Sequence, residues 1–350
     1  MLVYHDRLVK TIHPALTMTS IIKHVSGLFR ITHQFLLPSK PVLTEKDVPD
    51  LKGKVTIVTG SNTGLGKEIA QILYSKNAKV YMLARSAEKT KKAIDNIKAA
   101  VPNSDGELIY LHLDLADLPS IKSTAEEFLR RESQLHLLFN NAGVAFPQAG
   151  AKTKQGYTLE IGVNCLGTFA ITKLLTPTII SAAKVSPPNS VRVIYVSSNA
   201  SEGFSPKNFV QSVSNAENMT ATGKYFSSKL GNYLHAAEFA NRYKSTGVVS
   251  LSLNPGALDS DLWREQYSVV QSFLRATLLY PTIYGAYTCL YAAFSPDITC
   301  ERSGTHVSPW GQIWQVSTDM QTAAKTPEEG GDGTAKEFWE WSEAQVNKYL

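Results

Sequence analysis

The sequence predicts an α/β fold, with a doubly wound parallel sheet of about seven strands in a single domain. From Lys54 onward, short apolar runs rich in β-branched residues alternate with amphipathic segments of helix length. Fully apolar strands that alternate with helices are typical of a parallel sheet covered on both faces. Right-handed crossovers between such strands place helices on the two faces and produce the doubly wound arrangement.

The predicted strands follow one another without an internal repeat or a second domain. Six strands precede Pro255, in the runs VTIV, AKVYML, ELIYLHL, LHLLF, VRVIYV and VVSLSL, and GTHV near Gly304 predicts a seventh. We assign residues 1–50 to an N-terminal extension, residues 51–320 to the α/β domain and residues 321–350 to a C-terminal tail. In that tail the polar turn PEEGGDGT precedes a last helix that contains FWEW.

The composition is that of an ordinary globular protein and excludes several classes of function. Of the 350 residues, 43% are apolar and 19% charged, and the net charge is only +5. Because the lysines and arginines are scattered, we expect no nucleic-acid binding. The three cysteines have no metal-ligand spacing and suit a reducing compartment, so we predict buried structural thiols and no metal site; they are Cys165, Cys289 and Cys300.

Two apolar stretches resemble membrane spans, and neither is predicted to be one. The first, near the N-terminus, is interrupted by charged or titratable side chains, namely Lys23, His24, Arg30 and His33. The second, Ala276–Phe294, is uncharged and just long enough to span. Its Pro281, Gly285 and many hydroxyl groups favour a buried segment of a globular protein. We predict a cytoplasmic protein, and peripheral membrane association through the N-terminal extension stays open.

A glycine-rich loop, TGSNTGLG, follows the first predicted strand and precedes a helix. In such a loop the backbone N–H groups approach a pyrophosphate at the positive end of the helix. The position after the first strand of a doubly wound sheet indicates a Rossmann-like dinucleotide site rather than a structural turn. The predicted cofactor contacts in this loop are Gly60, Ser61, Asn62, Gly64, Leu65 and Gly66.

Four ordered motifs resemble those of the short-chain dehydrogenase/reductase family. The glycine loop matches the cofactor loop of that family, and residues 140–143 match its NNAG signature after the fourth strand. Asp114, in LHLDLAD, stands where the family contacts the adenine ring, and residues 254–256 match its proline–glycine turn. The resemblance covers roughly residues 50 to 310 and is greatest to the retinol-dehydrogenase-like branch and its fungal members.

This resemblance implies an oxidoreductase, with a role in secondary metabolism among the options. Residues 51–320 would then form its dinucleotide-binding catalytic domain. The resemblance places Asn141, Leu258 and Ser260 at the cofactor, although Asp259 departs from the basic residue common in the family. It also suggests Met18 as the true start, because the chain from MTSIIKHV onward is similar to the leader of fungal members.

The residue after the second strand predicts the cofactor. Enzymes that use NAD normally carry an Asp or Glu there, which binds the ribose hydroxyl groups. Here the strand ends in MLARSAEK, with Arg85 and no carboxylate at its tip. Because a guanidinium can form paired hydrogen bonds to a 2′-phosphate, we predict NADP, with NAD as the less favoured alternative. The other interpretation of Arg85 is a solvated surface arginine.

The stretch YFSSK contains the predicted catalytic pair, Tyr225 and Lys229. In a chain with 15 tyrosines a Tyr-x-x-x-Lys pair is expected by chance, so only the surrounding motifs can indicate whether this pair is catalytic. Hydride transfer to a carbonyl leaves an oxyanion that needs a proton. Tyrosine can donate it, and a lysine cation one helical turn away stabilises the phenolate that results. We therefore predict Tyr225 as the acid and Lys229 as its partner.

The family resemblance adds two catalytic residues. Ser198, the second serine of the pair that ends VRVIYVSS, would donate a hydrogen bond to the substrate oxygen. The alternation along the ending strand does not decide between Ser197 and Ser198. Asn164, in IGVNCLGTF, would hold a water between Lys229 and solvent. Its alternative interpretation is a helix asparagine that packs locally.

Two variable segments are predicted to select a small hydrophobic ketone or alcohol, ring-containing or long-chain and apolar, in preference to small polar carbonyl compounds. After the proline–glycine turn, an apolar stripe at helical spacing would either form a lid or pack against the core; it contains Leu262, Trp263, Tyr267, Val270, Phe273 and Leu274. In the loop 201–224, Phe204, Phe209 and Met219 would close the other side. The alternative function is a non-catalytic dinucleotide sensor, while the absence of a G-x-S-x-G motif disfavours a serine hydrolase. A homo-oligomer stays open.

Overall fold

The computed structural model describes residues 39–259 and 279–350, and these follow the predicted alternation of strands and helices. The strands are β1 (Val55–Thr59), β2 (Lys79–Ala84), β3 (Glu107–His112), β4 (Leu137–Asn140), β5 (Arg192–Val196), β6 (Val249–Leu253), β7 (His306–Ser308) and β8 (Gln312–Trp314). The proposed start at Met18 lies outside the described residues, as do Ser260 and the whole apolar stripe of the predicted lid.

Nine α-helices, one π-helical segment and one 3₁₀ turn of the described residues complete the elements relevant here. The α-helices are α1 (Gly64–Ser75), α2 (Ala87–Ala100), α3 (Leu118–Arg131), α4 (Thr168–Val185), α5 (Phe209–Ser214), α6 (Ala221–Tyr243), α7 (Thr282–Phe294), α8 (Thr318–Ala324) and α9 (Thr334–Val346). A π-helical segment, Ile161–Gly167, leads directly into α4, and a 3₁₀ turn, Asn199–Gly203, follows β5.

Within the described residues, the eight strands form a single sheet in the order β3-β2-β1-β4-β5-β6-β7-β8. All neighbouring pairs from β3 to β7 are parallel, which confirms the doubly wound parallel sheet, and β8 pairs antiparallel with β7. The chain reverses direction of winding between β1 and β4. In such sheets the crevice at this switch point, at the carboxyl ends of the strands, is the usual ligand site.

The structure has eight strands rather than the predicted seven, because β8 has no strand-like pattern in the sequence. This strand has only three residues, and two of them are exposed, so it carries no apolar run. The central strands do carry one: every residue of β1, β5 and β6 is buried. Burial on both faces therefore explains why these strands are recognisable and why the edge strand is not.

Helices cover both faces of the sheet and enclose two large apolar layers. On one face, α1 and α7 pack through residues such as Ile69, Leu73 and Leu290. On the other, α3, α4 and α6 bury Phe128, Phe169 and Phe239. The last helix, α9, joins this second side, because Trp339 packs edge-on against Phe169 with ring centroids 4.8 Å apart.

One helical stretch of the described residues, Ile161–Val185, has the length and hydropathy of a membrane span, with a mean hydropathy of 1.4. It lies in the core, and 72% of its apolar window is buried within the protein. Within the stretch suspected from the sequence, Thr282–Phe294 form the helix α7, and its 13 residues are fewer than the ~20 needed to cross a bilayer. Cys165 and Cys289 are buried as predicted, whereas Cys300 is only partly so.

Candidate active site

The glycine loop lies between β1 and the first turn of α1. Gly60 and Gly64 have φ angles of +66° and +51°, a left-handed conformation that glycine adopts without steric cost. A Cβ on Gly66 would collide with the carbonyl oxygen of Gly60 and lie 2.6 Å from Nδ2 of Asn141. Only glycine therefore allows the start of α1 to pack against both the loop and the residues that follow β4.

Thr59, the last residue of β1, connects this loop to the NNAG segment. Its hydroxyl donates to the carbonyl oxygen of Phe139 and accepts from the backbone N–H groups of Asn141 and Ala142, at 3.0 and 2.9 Å. The side chain of Asn141 in turn donates to the carbonyl oxygen of Thr59 at 2.8 Å. The two segments at the switch point therefore form one hydrogen-bonded unit at the carboxyl edge of the sheet.

A cleft of about 960 Å³ opens above this unit and collects most of the predicted site residues. Those that line it are Gly60, Asn62, Gly64, Leu65, Gly66, Arg85, Asp114, Asn141, Ser198, Tyr225, Lys229 and Leu258. Two predicted residues do not line it: Ser61 and Asn164 are fully buried behind its wall. Ser260 lies outside the described residues.

One end of the cleft carries three charged side chains, those of Arg85, Lys89 and Asp114. Arg85 is exposed directly after β2, and Asp114 accepts a hydrogen bond from the N–H of Ala116 at 3.0 Å. Lys89, one turn into α2, also lines this end and was not among the residues predicted from the sequence. Ser86, the N-cap of α2, accepts a hydrogen bond from the backbone N–H of Lys89 and so stabilises the first turn of this helix. The spacing Arg85-x-x-x-Lys89 in the sequence could have indicated that Lys89 lies near Arg85.

The other end of the cleft contains Tyr225 and Lys229 on α6. The Thr220 hydroxyl caps this helix and accepts from the N–H of Gly223 at 3.1 Å, which begins the helix one turn before Tyr225. Both side chains are buried, and Nζ of Lys229 lies 5.9 Å from the centroid of the Tyr225 ring. The helical spacing predicted for this pair is therefore present.

Burial shifts both groups away from their charged forms. It raises the pKa of Tyr225 to about 12, and a hydrogen bond with the Ser198 hydroxyl opposes this shift. It lowers the pKa of Lys229 to about 8, with a small opposing effect from Cys165. Near neutral pH the phenol is therefore protonated and can donate a proton, while Lys229 remains mostly cationic.

The two serines that end VRVIYVSS point in different directions. Ser197 is buried, and its hydroxyl donates to the backbone carbonyl of Lys229 at 2.7 Å. Ser198 caps the 3₁₀ turn, where its hydroxyl accepts from the N–H of Ala200 and contacts Tyr225. Of the two, only the Ser198 hydroxyl stands beside the phenol, which settles an orientation that strand alternation left open.

Asn164 sits in the π-helical segment, behind the NNAG loop. Its Oδ1 accepts from the N–H of Val144 at 2.8 Å, and its Nδ2 donates to the Val144 carbonyl and to the Ser228 hydroxyl, each at 2.9 Å. A Cβ placed on Gly143 would lie 3.2 Å from Oδ1 of Asn164 and 3.4 Å from Nζ of Lys229. The missing side chain of Gly143 thus leaves a gap between these two polar groups.

Aromatic side chains flank Tyr225, and they differ from those predicted. Phe146 and Phe226 line the cleft, with ring centroids 5.1 and 6.3 Å from that of Tyr225. The prediction that Phe204, Phe209 and Met219 close this side is wrong. Phe209 is buried edge-on against Phe338 of α9, and the other two pack on the same apolar cluster. The segment 201–224 thus directs its apolar residues toward α9, away from the cleft.

Comparison with known proteins identifies the family to which this chain belongs. The sequence matches the short chain dehydrogenase family over residues 54–270, more than half of the chain. The chain belongs to the short-chain dehydrogenases. A "short-chain dehydrogenase/reductase" of Phomopsis amygdali is 49% identical over 90% of this chain and 96% of that protein. The protein sthC of Phaeosphaeria nodorum is 46% identical over 77% of this chain and 87% of its own.

A solved structure supports the same conclusion about the fold. An uncharacterized protein of Mycobacterium paratuberculosis superposes with a TM-score of 0.63 at 26% identity, over 87% of this short-chain dehydrogenase and 97% of that chain. The family and the similarity to fungal members, both inferred from the four motifs, are confirmed. The retinol-dehydrogenase-like branch stays a prediction.

Short-chain dehydrogenases are oxidoreductases that bind a nicotinamide dinucleotide, and the residues of this cleft fit one. Because Gly66 carries no side chain, the first turn of α1 packs directly against Gly60, and the loop lines the cleft at the N-terminus of this helix, where a pyrophosphate would bind. The Ser61 hydroxyl beneath the loop is buried without a hydrogen-bond partner. Among the described residues no group of three or more His, Cys, Asp or Glu side chains could hold a metal ion.

Proposed function

We propose that this short-chain dehydrogenase is an NADP-dependent alcohol dehydrogenase or carbonyl reductase that acts on small hydrophobic ketones and alcohols. The observation that carries the proposal is the buried Tyr225 phenol, which contacts the Ser198 hydroxyl and has Lys229 one helical turn away. A proton donor, a second hydroxyl and a cation at one end of a dinucleotide-sized cleft are what carbonyl reduction requires.

A bound nicotinamide dinucleotide would supply or accept the hydride. Tyr225 gives its proton to the substrate oxygen during reduction and takes it back during oxidation. Its pKa of about 12 keeps the phenol protonated at neutral pH, so it is prepared for reduction. Ser198 donates a hydrogen bond to the same oxygen, and Lys229 stabilises the phenolate that remains.

The relay of the proton from solvent is part of this proposal. Oδ1 of Asn164 accepts one hydrogen bond from Val144 and retains a second lone pair. A water in the gap beside Gly143 would have both this oxygen and Nζ of Lys229 within hydrogen-bonding range. Asn164 would therefore have two roles: it holds the backbone of Val144 by hydrogen bonds, and it accepts a hydrogen bond from the water.

The preference for NADP rests on the charges at the far end of the cleft. Arg85 and Lys89 both line it, whereas Glu88 between them does not. Asp114 is the only acidic residue among the described lining residues, and it lies after β3 rather than β2. A 2′-phosphate would therefore meet two cations, and the ribose hydroxyls of NAD would lack their usual carboxylate.

The test is a purified enzyme with NADPH, screened against ketones, aldehydes and quinones, while cofactor binding is followed by fluorescence. We expect binding of NADPH in preference to NADH, and oxidation of NADPH with at least one hydrophobic carbonyl compound. Tight binding without turnover across the panel would contradict an enzyme and favour a dinucleotide sensor. A role in secondary metabolism, a cytoplasmic location and a homo-oligomer are predictions that other measurements must address.

A further inference from the structure

The backbone of Phe146 has an unusual conformation for a bulky residue. Its φ angle is +49°, in the left-handed region that glycine and asparagine normally occupy. The other three non-glycine residues with positive φ among those described are all asparagines, at 77, 189 and 208. A strained conformation of this kind persists only where the surroundings impose it, and it is frequent at functional sites.

The left-handed turn places the Phe146 ring against the predicted acid. The centroids of the Phe146 and Tyr225 rings are 5.1 Å apart, with the planes tilted by 43°. Phe226 lies on another side of Tyr225, with centroids 6.3 Å apart and an angle of 63°. Two phenylalanine rings therefore flank the Tyr225 ring at this end of the cleft.

The surroundings of these rings are apolar and leave both phenylalanines partly uncovered. Ala145 and Ala200 are buried beside Tyr225, and they form one small cluster with Phe146 and Phe226. Gly203 makes room for Phe226, because a Cβ there would lie 2.6 Å from its ring. Phe146 and Phe226 are each half-buried. Apart from Lys229, no described residue that lines this end of the cleft carries a charge.

We propose that Phe146 is a specificity-determining residue that stacks on an aromatic ring of the substrate, so that aryl ketones and aryl aldehydes are the preferred substrates. This inference rests on the proposed carbonyl reductase function. A flat ring can cover the open surface of Phe146 in an offset or edge-to-face arrangement, which a saturated ring of the same size does not match. The carbonyl group attached to that ring then reaches Tyr225 and Ser198.

The reaction balances without a further reactant. The carbonyl carbon gains a hydride from the reduced dinucleotide, and the oxygen gains the proton of Tyr225. The C=O π bond breaks as one C–H and one O–H bond form, and the dinucleotide is oxidised. Solvent then returns a proton to Tyr225.

The experiment compares matched ketones on wild type and three variants. Acetophenone is paired with cyclohexyl methyl ketone, and 2-acetylnaphthalene with its fully saturated counterpart. The ratio of kcat/KM within each pair is measured for wild type, Phe146→Leu, Phe146→Tyr and the control Phe204→Leu. Intrinsic reactivity cancels when these ratios are compared between proteins. Phe204 is a half-buried aromatic residue that does not line the cleft.

We expect Phe146→Leu to lower the aromatic-to-saturated ratio by about 3- to 10-fold, as expected for the loss of one aromatic pair. Phe146→Tyr should retain the wild-type ratio, because it keeps the ring, and Phe204→Leu should retain it as well. Should Phe146→Leu fail to fold, Phe146→Gly replaces it, because glycine accepts the left-handed backbone. NADPH binding should be equal in all variants.

Two results would overturn the inference, and they are distinguishable. An unchanged ratio in the Phe146 variants, with active wild-type enzyme, would reject the role of Phe146 and leave the carbonyl reductase function intact. An enzyme that binds NADPH but reduces neither member of either pair, nor any compound of the wider panel, would reject the proposed function itself.

Discussion

Nζ of Lys229 donates a hydrogen bond to the backbone carbonyl of Val196, 2.9 Å away at the end of β5. The Ser197 hydroxyl returns a hydrogen bond to the carbonyl of Lys229, and Asn232 donates to the same Val196 carbonyl at 3.3 Å. The strand β5, which leads to Ser198, and the helix that carries Tyr225 are therefore bonded to each other at the ends that face the cleft. This connection keeps the phenol and the second hydroxyl side by side.

Replacement of Tyr225 by Phe removes the proposed proton donor and leaves the ring in place. We expect kcat to fall by about 10²- to 10⁴-fold, the usual contribution of a general acid, with NADPH affinity nearly unchanged. Steady-state kinetics and fluorescence titration measure the two quantities. The control is Tyr233→Phe, two turns along the same helix, where a buried tyrosine does not line the cleft. A Tyr225→Phe enzyme with more than a few per cent of wild-type turnover would refute the role.

The titration of Lys229 predicts how reduction depends on pH. Its pKa of about 8 lies below the ordinary 10.5, because burial disfavours the cation. As the pH rises through 8 the lysine loses its charge, the phenolate loses its partner, and kcat should decline. A profile of kcat from pH 6 to 10 tests this. In Lys229→Arg the decline should disappear from this range, since arginine stays protonated. A decline that is identical in this variant assigns the titration to another group.

Replacement of Arg85 by Asp removes a phosphate partner and adds a like charge. We expect NADPH binding to weaken by roughly 10- to 100-fold, the range of charged hydrogen bonds, while NADH binding changes much less. Lys89→Ala should produce a smaller loss of the same kind. The matched control is Lys92→Ala, an exposed lysine on α2 that does not line the cleft. If the preference between the two cofactors stays the same in Arg85→Asp, Arg85 is only a surface residue.

Filling the gap beside Gly143 tests the proposed water relay. In Gly143→Ala the new methyl group stands 3.2 Å from Oδ1 of Asn164 and 3.4 Å from Nζ of Lys229, where it would displace a bridging water. We expect a lower kcat with little change in the affinity for NADPH. Serine at the same position brings a hydroxyl that can replace the water in part, so Gly143→Ser should recover activity relative to alanine. Equal rates for wild type and Gly143→Ala would exclude a relay through this gap.

Two buried histidines predict a loss of stability in acid. Burial lowers the pKa of His235 and of His306 to about 3, below the ordinary 6.5. Between pH 6.5 and 3 the unfolded chain binds more protons than the folded one, so the free energy of unfolding falls as the pH falls. Each histidine contributes a slope of up to ~1.4 kcal/mol per pH unit. Urea denaturation at pH 7, 6 and 5 measures this slope.

The variants separate these histidines from other acid effects. His235→Gln should reduce the slope, whereas His112→Gln should not, because His112 is exposed at the end of β3. His235 bonds to Ser342 of α9 and stacks on Phe338, so its replacement also lowers stability at pH 7. The slope, rather than the stability at one pH, is therefore the deciding quantity. If both variants give the wild-type slope, His235 does not contribute to the acid sensitivity.

The sequence predicted those parts of the molecule that depend on local chemistry. The buried strands appear as apolar runs, the glycine loop as a spacing, and the pair Tyr225 and Lys229 as one turn of helix. The parts that it missed depend on tertiary packing. Phe209 looked like a substrate contact because it is aromatic and near Tyr225 in the chain, yet Phe338, more than 100 residues later, provides its partner.

Phe146 is the reverse case: it was not predicted, yet it lines the cleft, and its position depends on a backbone angle that no residue pattern encodes. Position 146 carries neither glycine nor asparagine, so nothing in the sequence marks its left-handed φ. Similarly, the side chains of Ser197 and Ser198 separate only when the turn after β5 is formed. Where a residue's role depends on its direction rather than its place in a motif, the three-dimensional structure is needed.

The parallel sheet has a practical consequence for handling the protein. Every described residue proposed for chemistry lies at the carboxyl ends of the strands or behind them, so the connections at the other edge are free for attachment. Two turns enter β3 and β5 from that edge, and their exposed residues are Pro102, Asn103 and Asp105 in the first and Pro187 and Pro188 in the second. The five residues of β5 separate the second turn from the cleft by roughly 15 Å. A fluorophore or an immobilising linker placed there would leave the mouth of the cleft clear.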